Sequence, residues 1–474
     1  MWIIFGVAVL LFVAVLVFRG LAFKPAPRHD EPAKAVQVDE DAVARRMQAM
    51  IRLKTVSYRD KSLEDDAPFE AFIDLLPTLY PRVHAAISCE RIGARGLLYH
   101  WKGQDDGAPS VYMAHFDVVP AEESAWEKPP FEAVLENGVL WGRGTLDTKG
   151  TLLGILEAAE ALLAQGFVPK NDVYFAFGGN EEIRGDGAVG IVEALTARGV
   201  KPAFVLDEGG AVVENVFPGV KAPCALVGIA EKGSMDARLR LTTRGGHAST
   251  PPPHTAVGLM ARAIARSEGK PFPFRLTPPA ALMFDTLGRH SSLPFRMLFA
   301  NLWCFRPALN LICRLSGGEL NALVRTTCAF TQMQGGEASN VLPPAVTAGA
   351  NLRLMIGETV QSAKERLSRV SGVQDVEVIT GNDPSPVSRT DGEPWQRLGS
   401  AIAQTWPDAI LSPYLMLAAS DSYHYGQVCN CVYRFSAMAL SGEERKMIHG
   451  HNERVPIATL VKTVQFYQRV MGES

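Results

Sequence analysis

Three short apolar runs, each ending in histidine or carboxylates, constrain this chain more than any other feature. They are "SVYMAHFDVVP" (residues 110–120), "DVYFAFGG" (172–179) and "AFVLDEGG" (203–210). Runs of this length and composition read as buried strands. Between the first two, Leu152, Ile155, Leu156, Ala159, Leu162 and Leu163 recur at helical spacing, and Gly166 closes the helix. Strands alternating with helices in this way specify α/β layering. In open α/β sheets ligands bind beyond the carboxyl ends of the strands, so the polar residues at these ends should converge in one crevice.

After Gly233 the pattern changes. "GSMDARLRLTTRGG" (233–246) alternates with period two, as a half-exposed strand does, and "HTAVGLMARAIARS" (254–267) is an amphipathic helix. Further strands are expected at 325–336, 345–357 and 373–380, and a second helix around 359–370. Four strands and two helices make an inserted α+β domain over residues 233–380, flanked by a first domain formed from 43–232 and 381–474. Within the insert, "LPFRMLFANLWCFRPALNLICRL" (293–315) is strongly apolar but carries Arg296, Arg306 and Arg314. Arginines at membrane depth are costly, so a second membrane span is not expected there. Core or dimer-interface helices are one reading, and an interfacial hydrophobic flap admitting greasy substrates is the other.

The N-terminus, "MWIIFGVAVLLFVAVLVF", has no charged side chain before Arg19. As a helix it spans roughly 27 Å, close to the ~30 Å hydrocarbon core of a bilayer. Residues 1–23 therefore read as a retained single-pass anchor, with a cleaved signal peptide and hence secretion as the rival. The side of the membrane is not specified. The Pro-rich, charged stretch 24–42 reads as a linker. A net charge of −3 gives no sign of a nucleic-acid partner. The seven scattered cysteines form neither a disulfide framework nor a CxxC zinc pattern, and buried free thiols are expected.

Five stretches carry chemistry. "AHFDVVP" supplies His115 and Asp117, "WGRGTLDTKG" Asp147, "GGNEEIRG" Glu181 and Glu182, "VLDEGG" Asp207 and Glu208, and "MIHGHNERVP" His449. An apolar crevice would not tolerate so many carboxylates without cations, and the imidazoles suit zinc. A pair of divalent ions resolves the repulsion: Glu182 binds one, while Glu181 stays free to take a proton from metal-bound water. His451 is the one rival ligand to His449.

With these motifs in their order, and with "EKGSM", "GGHASTPP", "NLWCFRP" and "IHGHNE", the chain from about residue 41 onward resembles the dizinc metallopeptidase family of carboxypeptidase S, aminoacylase and glutamate carboxypeptidase. It is most similar to the branch of carboxypeptidase S and the secreted N-fatty-acyl amino acid hydrolases. The resemblance implies a zinc-peptidase-like catalytic domain, an inserted lid and dimerisation domain, and two Zn2+ per subunit, with Co2+ or Mn2+ as substitutes. It also implies hydrolysis of an amide bond in peptides or N-acyl amino acids, and a homodimer formed through the insert.

By the same resemblance His115 binds one zinc, His449 the other, and Asp147 bridges them. Glu182 completes one shell. Asp207 or Glu208 completes the other, with Asp207 placed first. Glu181 is the general base that activates zinc-bound water and later the proton donor. Asp117 fixes the imidazole of His115, and His247 supports the oxyanion, reaching the partner's site in dimeric relatives. Asn340 and Arg353 match lid positions that hold the substrate; for Arg353 an exposed arginine on an alternating strand is the plainer alternative. One departure stands out: where relatives carry Thr-Asp-x-Arg, this chain reads "SDSYHYG", so Tyr423 replaces a carboxylate-gripping arginine. That puts strict carboxypeptidase action in question. Two readings of other classes are a catalytically silent zinc- or peptide-binding member, which the intact Glu181 disfavours, and a tethered structural protein with solvated carboxylates.

Overall fold

A computed structural model describes residues 1–26 and 35–473, so part of the expected 24–42 linker lies outside the described residues. The three apolar runs form neighbouring strands. In chain order the strands that matter here are β1 (Ser88–Ile92), β2 (Gly96–Trp101), β3 (Ser110–His115), β4 (Val173–Gly178), β5 (Phe204–Val213), β6 (Cys224–Glu231), β7 (Gly233–Thr242), β8 (Thr327–Gln334), β9 (Ala345–Leu354), β10 (Asp375–Asn382), β11 (Ile410–Met416) and β12 (Val432–Leu440). Eight of them make one mixed sheet in the order β1-β2-β4-β3-β5-β12-β6-β11. β3 runs parallel to both β4 and β5, and β5 runs parallel to β12. Every residue of β3 and β4 is buried, which is why both read as continuous apolar runs rather than alternating ones.

The helices that position the site are α1 (Trp2–Ala22), α2 (Lys149–Ala164), α3 (Ala256–Gly269), α4 (Pro278–His290), α5 (Leu293–Ala300), α6 (Leu302–Ser316), α7 (Val360–Ser371) and α8 (Ile457–Gly472). α2 starts directly after Asp147 and is almost wholly buried, packed on α8. A Cβ at Gly154 would lie 2.6 Å from Thr463 Cγ2, so only glycine lets these two helices approach so closely.

Strands β7 to β10 form a separate antiparallel sheet in the order β8-β9-β7-β10, and α3 and α7 cover it. Met235, Leu239, Met260, Leu352 and Leu367 belong to a core of their own there. The helices between α3 and β8 do not join that core. α4 packs on β11, and Phe284, Leu287, Phe299 and Cys313 belong to the core of the large sheet. The stretch 293–315 is therefore two helices on the body of the large sheet, although in the chain it lies between α3 and β8. All seven cysteines are free thiols. Among the described residues one helix, α1, is long and apolar enough to cross a membrane.

Candidate active site

The carboxyl ends of β3, β4 and β5 deliver the acidic and imidazole groups to one crevice. His115 is the last residue of β3, and its backbone N–H donates to Thr148 Oγ1 at 2.9 Å. Its Nδ1 lies 2.9 Å from the Asp117 carbonyl oxygen, which leaves Nε2 facing the crevice. There Nε2 stands 3.0 Å from Asp147 Oδ1 and 3.4 Å from Glu208 Oε1. The other oxygen of Asp147, Oδ2, is 3.0 Å from His449 Nε2, which also lies 3.0 Å from Glu182 Oε2. Asp147 thus stands between two imidazoles and offers one oxygen to each. The donor atoms of His115, Asp147 and Glu182 lie within 4.8 Å of one another, as do those of His115, Glu181 and Glu208.

Buried side chains hold these groups in place. Asp117 is fully buried and accepts from the backbone N–H of Glu181 and of Glu182, each at 3.1 Å. Its carboxylate fixes the loop that carries both glutamates, while its carbonyl orients His115. Glu453, also fully buried, accepts from Leu146 N at 2.8 Å and Gly144 N at 3.0 Å, and from Arg143 Nη1 at 2.7 Å. Arg143 in turn donates to the Gly450 carbonyl at 2.7 Å. This one ion pair ties the Asp147 loop to the turn that bears His449.

The electrostatics are those of a site short of positive charge. Burial pushes Glu181 well above the usual carboxylate range, and the neighbouring Glu208, Asp421 and Glu182 add to the rise against the pull of His115. Burial, then the charge of Asp147, lifts Glu208 to about 8, and burial, then Asp207, lifts Asp421 to about 8. Burial would raise Asp147 too, but hydrogen bonds from His115 and His449 outweigh it and hold that carboxyl low. His449, hydrogen-bonded to Asp147 and Glu182, rises to about 10. Acids forced toward neutrality around imidazoles held as cations describe a donor set that divalent ions would relieve.

Asp207 and Glu208 part company in the structure. Asp207 accepts from the backbone N–H of Ser422 at 3.0 Å, whereas Glu208 faces His115. The cause is a break in register: Asp207 pairs with Arg434, and the next pair is Gly210 with Phe435, so Glu208 and Gly209 bulge out of β5. Asp207 nonetheless lines a small cavity with His115 and Glu181, so both acids of the pair stand near that imidazole. A Cβ at Gly210 would sit 1.8 Å from the Leu226 carbonyl oxygen, so only glycine fits beside the bulge.

Beside the acids opens a cleft of about 560 Å3, lined among others by Glu181, Glu182, Arg184, Arg353, Tyr423 and His449. Arg353, on β9, is half-buried; burial and then the charge of Arg184 lower its affinity for a proton. Arg184 had no assigned role in the sequence. Its backbone has φ +56° and that of His449 φ +59°, a left-handed conformation that costs a non-glycine residue roughly 1–2 kcal/mol. His247 and Asn340 lie outside the cleft lining. Both are exposed, and the Ala248 N–H donates to the Asn340 carbonyl at 2.9 Å, so the two are neighbours on the insert. His451 is exposed as well.

Residues 111–473 match peptidase family M20/M25/M40. The chain is 35% identical over 439 residues to the probable carboxypeptidase S-like 2 of Dictyostelium discoideum, covering 90% of this chain and 84% of that one. It is 35% identical over 483 residues to the N-fatty-acyl-amino acid synthase/hydrolase PM20D1 of Xenopus tropicalis, covering 99% and 94%. Among solved structures, the M20 family metallo-carboxypeptidase Sso-CP2 of Sulfolobus solfataricus superposes with a TM-score of 0.66 at 16% identity, covering 92% of this chain and 99% of that one. The chain belongs to peptidase family M20/M25/M40 and is an enzyme of the metallopeptidase and amidohydrolase class.

Proposed function

We propose that this chain hydrolyses the amide bond of N-acyl amino acids, with short peptides as the second substrate class, at a site for two zinc ions. The observation that carries the reading is Asp147, half-buried between His115 and His449 with one oxygen toward each. His115, Asp147 and Glu208 would hold one ion; His449, Asp147 and Glu182 would hold the other. The donors are nitrogen and carboxylate oxygen, which suits zinc, with Co2+ or Mn2+ as substitutes. Bound there, the ions polarise the scissile carbonyl and acidify water.

Glu181 makes no direct contact with either imidazole's Nε2 among the described ion pairs, and it lines the cleft. It takes the proton of the attacking water and returns it to the leaving nitrogen, a role that fits a carboxyl kept basic by its surroundings. Asp117 holds the Glu181 backbone and His115 together, so base and ligand keep one geometry. Arg353 and Arg184 face the same cleft and together bind the substrate's free carboxylate, which makes up for the arginine that Tyr423 replaces. His247 and Asn340, apart from this chain's own cleft, would act at the cleft of a second copy in a dimer formed through the insert. α1 anchors the chain in a membrane.

The experiment is a hydrolysis panel of N-acyl amino acids and short peptides, each with a free and an amidated C-terminus. We expect turnover of the free-carboxylate N-acyl amino acids to exceed that of their amidated counterparts. Failure of the metal-loaded protein to cleave any member would leave only the silent binding reading.

A further inference from the structure

The face of α6 that looks away from the protein is mostly apolar, with Arg314 the one charged residue among its exposed leucine, isoleucine and tryptophan side chains. Leu309 and Cys313 are its buried residues. Leu311 lies two positions from each, which at ~100° per residue puts it on the opposite side of the helix. That side should carry charges in a helix bathed in water. Instead it shows Trp303, Leu311, Ile312 and Leu315, with exposures of 60%, 56%, 47% and 78%. Nearby on α5, Leu293 and Phe295 are exposed too. An apolar face of this breadth marks an interaction surface.

Its position says what covers it. α5 and the start of α6 pack against the C-terminal half of α1. Asn301 Nδ2 donates to the Leu16 carbonyl at 3.1 Å, Arg19 Nη2 donates to the Ala300 carbonyl at 2.9 Å, and the rings of Phe12 and Trp303 meet edge to face at 6.0 Å. A Cβ on Gly20 would fall 2.6 Å from Met297 Cγ, so this seat is shaped to the helix. The apolar face of α6 is therefore continuous with α1, a helix long and apolar enough to cross a membrane. Arg306 and Arg314 are exposed on the same helix, but their cationic heads are held by the protein: the Arg306 guanidinium lies 5.4 Å over the Phe274 ring and Arg314 Nη2 donates to the Gly269 carbonyl at 3.3 Å. A tryptophan at the boundary of a bilayer is in its preferred place.

We infer that α5 and α6 form a membrane-contacting element, in which Trp303, Leu311, Ile312 and Leu315 enter the lipid bilayer beside α1. The inference rests on α1 as an anchor, and not on the chemistry of the crevice. The element is also coupled to the catalytic body: Lys232, next to cleft-lining Glu231, donates to the carbonyls of Ala322 at 3.1 Å and Arg325 at 2.9 Å, in the segment that follows α6.

The test uses the full chain carrying Trp2→Phe, reconstituted into phosphatidylcholine vesicles with and without brominated acyl chains. Flotation with the vesicles reports on α1, and tryptophan quenching by bromine reports on α6. We expect the chain to float, its fluorescence to be quenched by the brominated lipid, and that quenching to be lost when Trp303→Phe is added. Flotation with equal quenching in both variants overturns the inference while leaving the anchor intact, and failure to float overturns both. Disulfide cross-linking of Leu311→Cys between copies, with Trp303 unquenched, would assign the face to a second copy of the chain and also overturn it. Amide hydrolysis measured on the same samples reports separately on the crevice.

Discussion

Glu181 and Glu182 are adjacent in the chain yet differ in surroundings, and the roles proposed for them rest on that difference. Burial raises both, but Glu182 is hydrogen-bonded to His449, whereas Glu181 has no such partner among the described ion pairs and is raised further by Glu208, Asp421 and Glu182. Replacing Glu181 with glutamine should leave metal content unchanged and lower kcat by about 10²–10⁴-fold, the usual worth of a positioned general base. Inductively coupled plasma analysis and single-turnover kinetics on one preparation check both halves. Arg184 carries a second expectation. Arg184→Gln should raise KM about tenfold or more for substrates with a free carboxylate, the scale of one charge-assisted hydrogen bond, and leave amidated substrates unaffected. The acids and histidines could be read from sequence because each follows an apolar strand or a glycine-rich turn. Arg184 could not, because a single arginine in a polar loop looks like solvated surface, and its left-handed backbone is visible only in three dimensions.

At the level of elements, the site depends on two loops held by one buried ion pair. Arg143 and Glu453 are 3% and 0% exposed at their side chains, and between them they bind Gly144, Leu146 and Gly450. Arg143→Met would leave Glu453 buried without its partner and should cost about 3–5 kcal/mol of stability. Chemical denaturation followed by circular dichroism measures this, and looser metal binding should accompany it as the Asp147 loop loses its tether. Strands β3 and β4 were legible because full burial writes a continuous apolar run. β5 was only half legible: its apolar start was plain, but a bulge after Asp207 changes how the two neighbouring acids are turned, and period-two reasoning cannot count through a bulge. The apolar stretch at 293–315 gave its helical character but not its neighbours, since sequence spacing does not say which of two cores a helix joins.

For the whole molecule, a sheet that gathers acids at one edge is stable only if their repulsion is relieved. Burial raises Glu181, Glu182, Asp207, Glu208 and Asp421 together, and neighbouring acids add to the rise at all of them but Asp207, so the fold brings the charge deficit with it. The same order of motifs along the chain that revealed the family also places the site, whereas the seating of α1 on α5 left no trace in spacing or composition. The most direct test is elemental analysis of the purified full chain, before and after exhaustive chelation, with hydrolysis assayed at each stage. About two divalent ions per chain, with activity lost on chelation and restored by zinc, is the result expected here. Undiminished amide hydrolysis by a chain free of metal would contradict it.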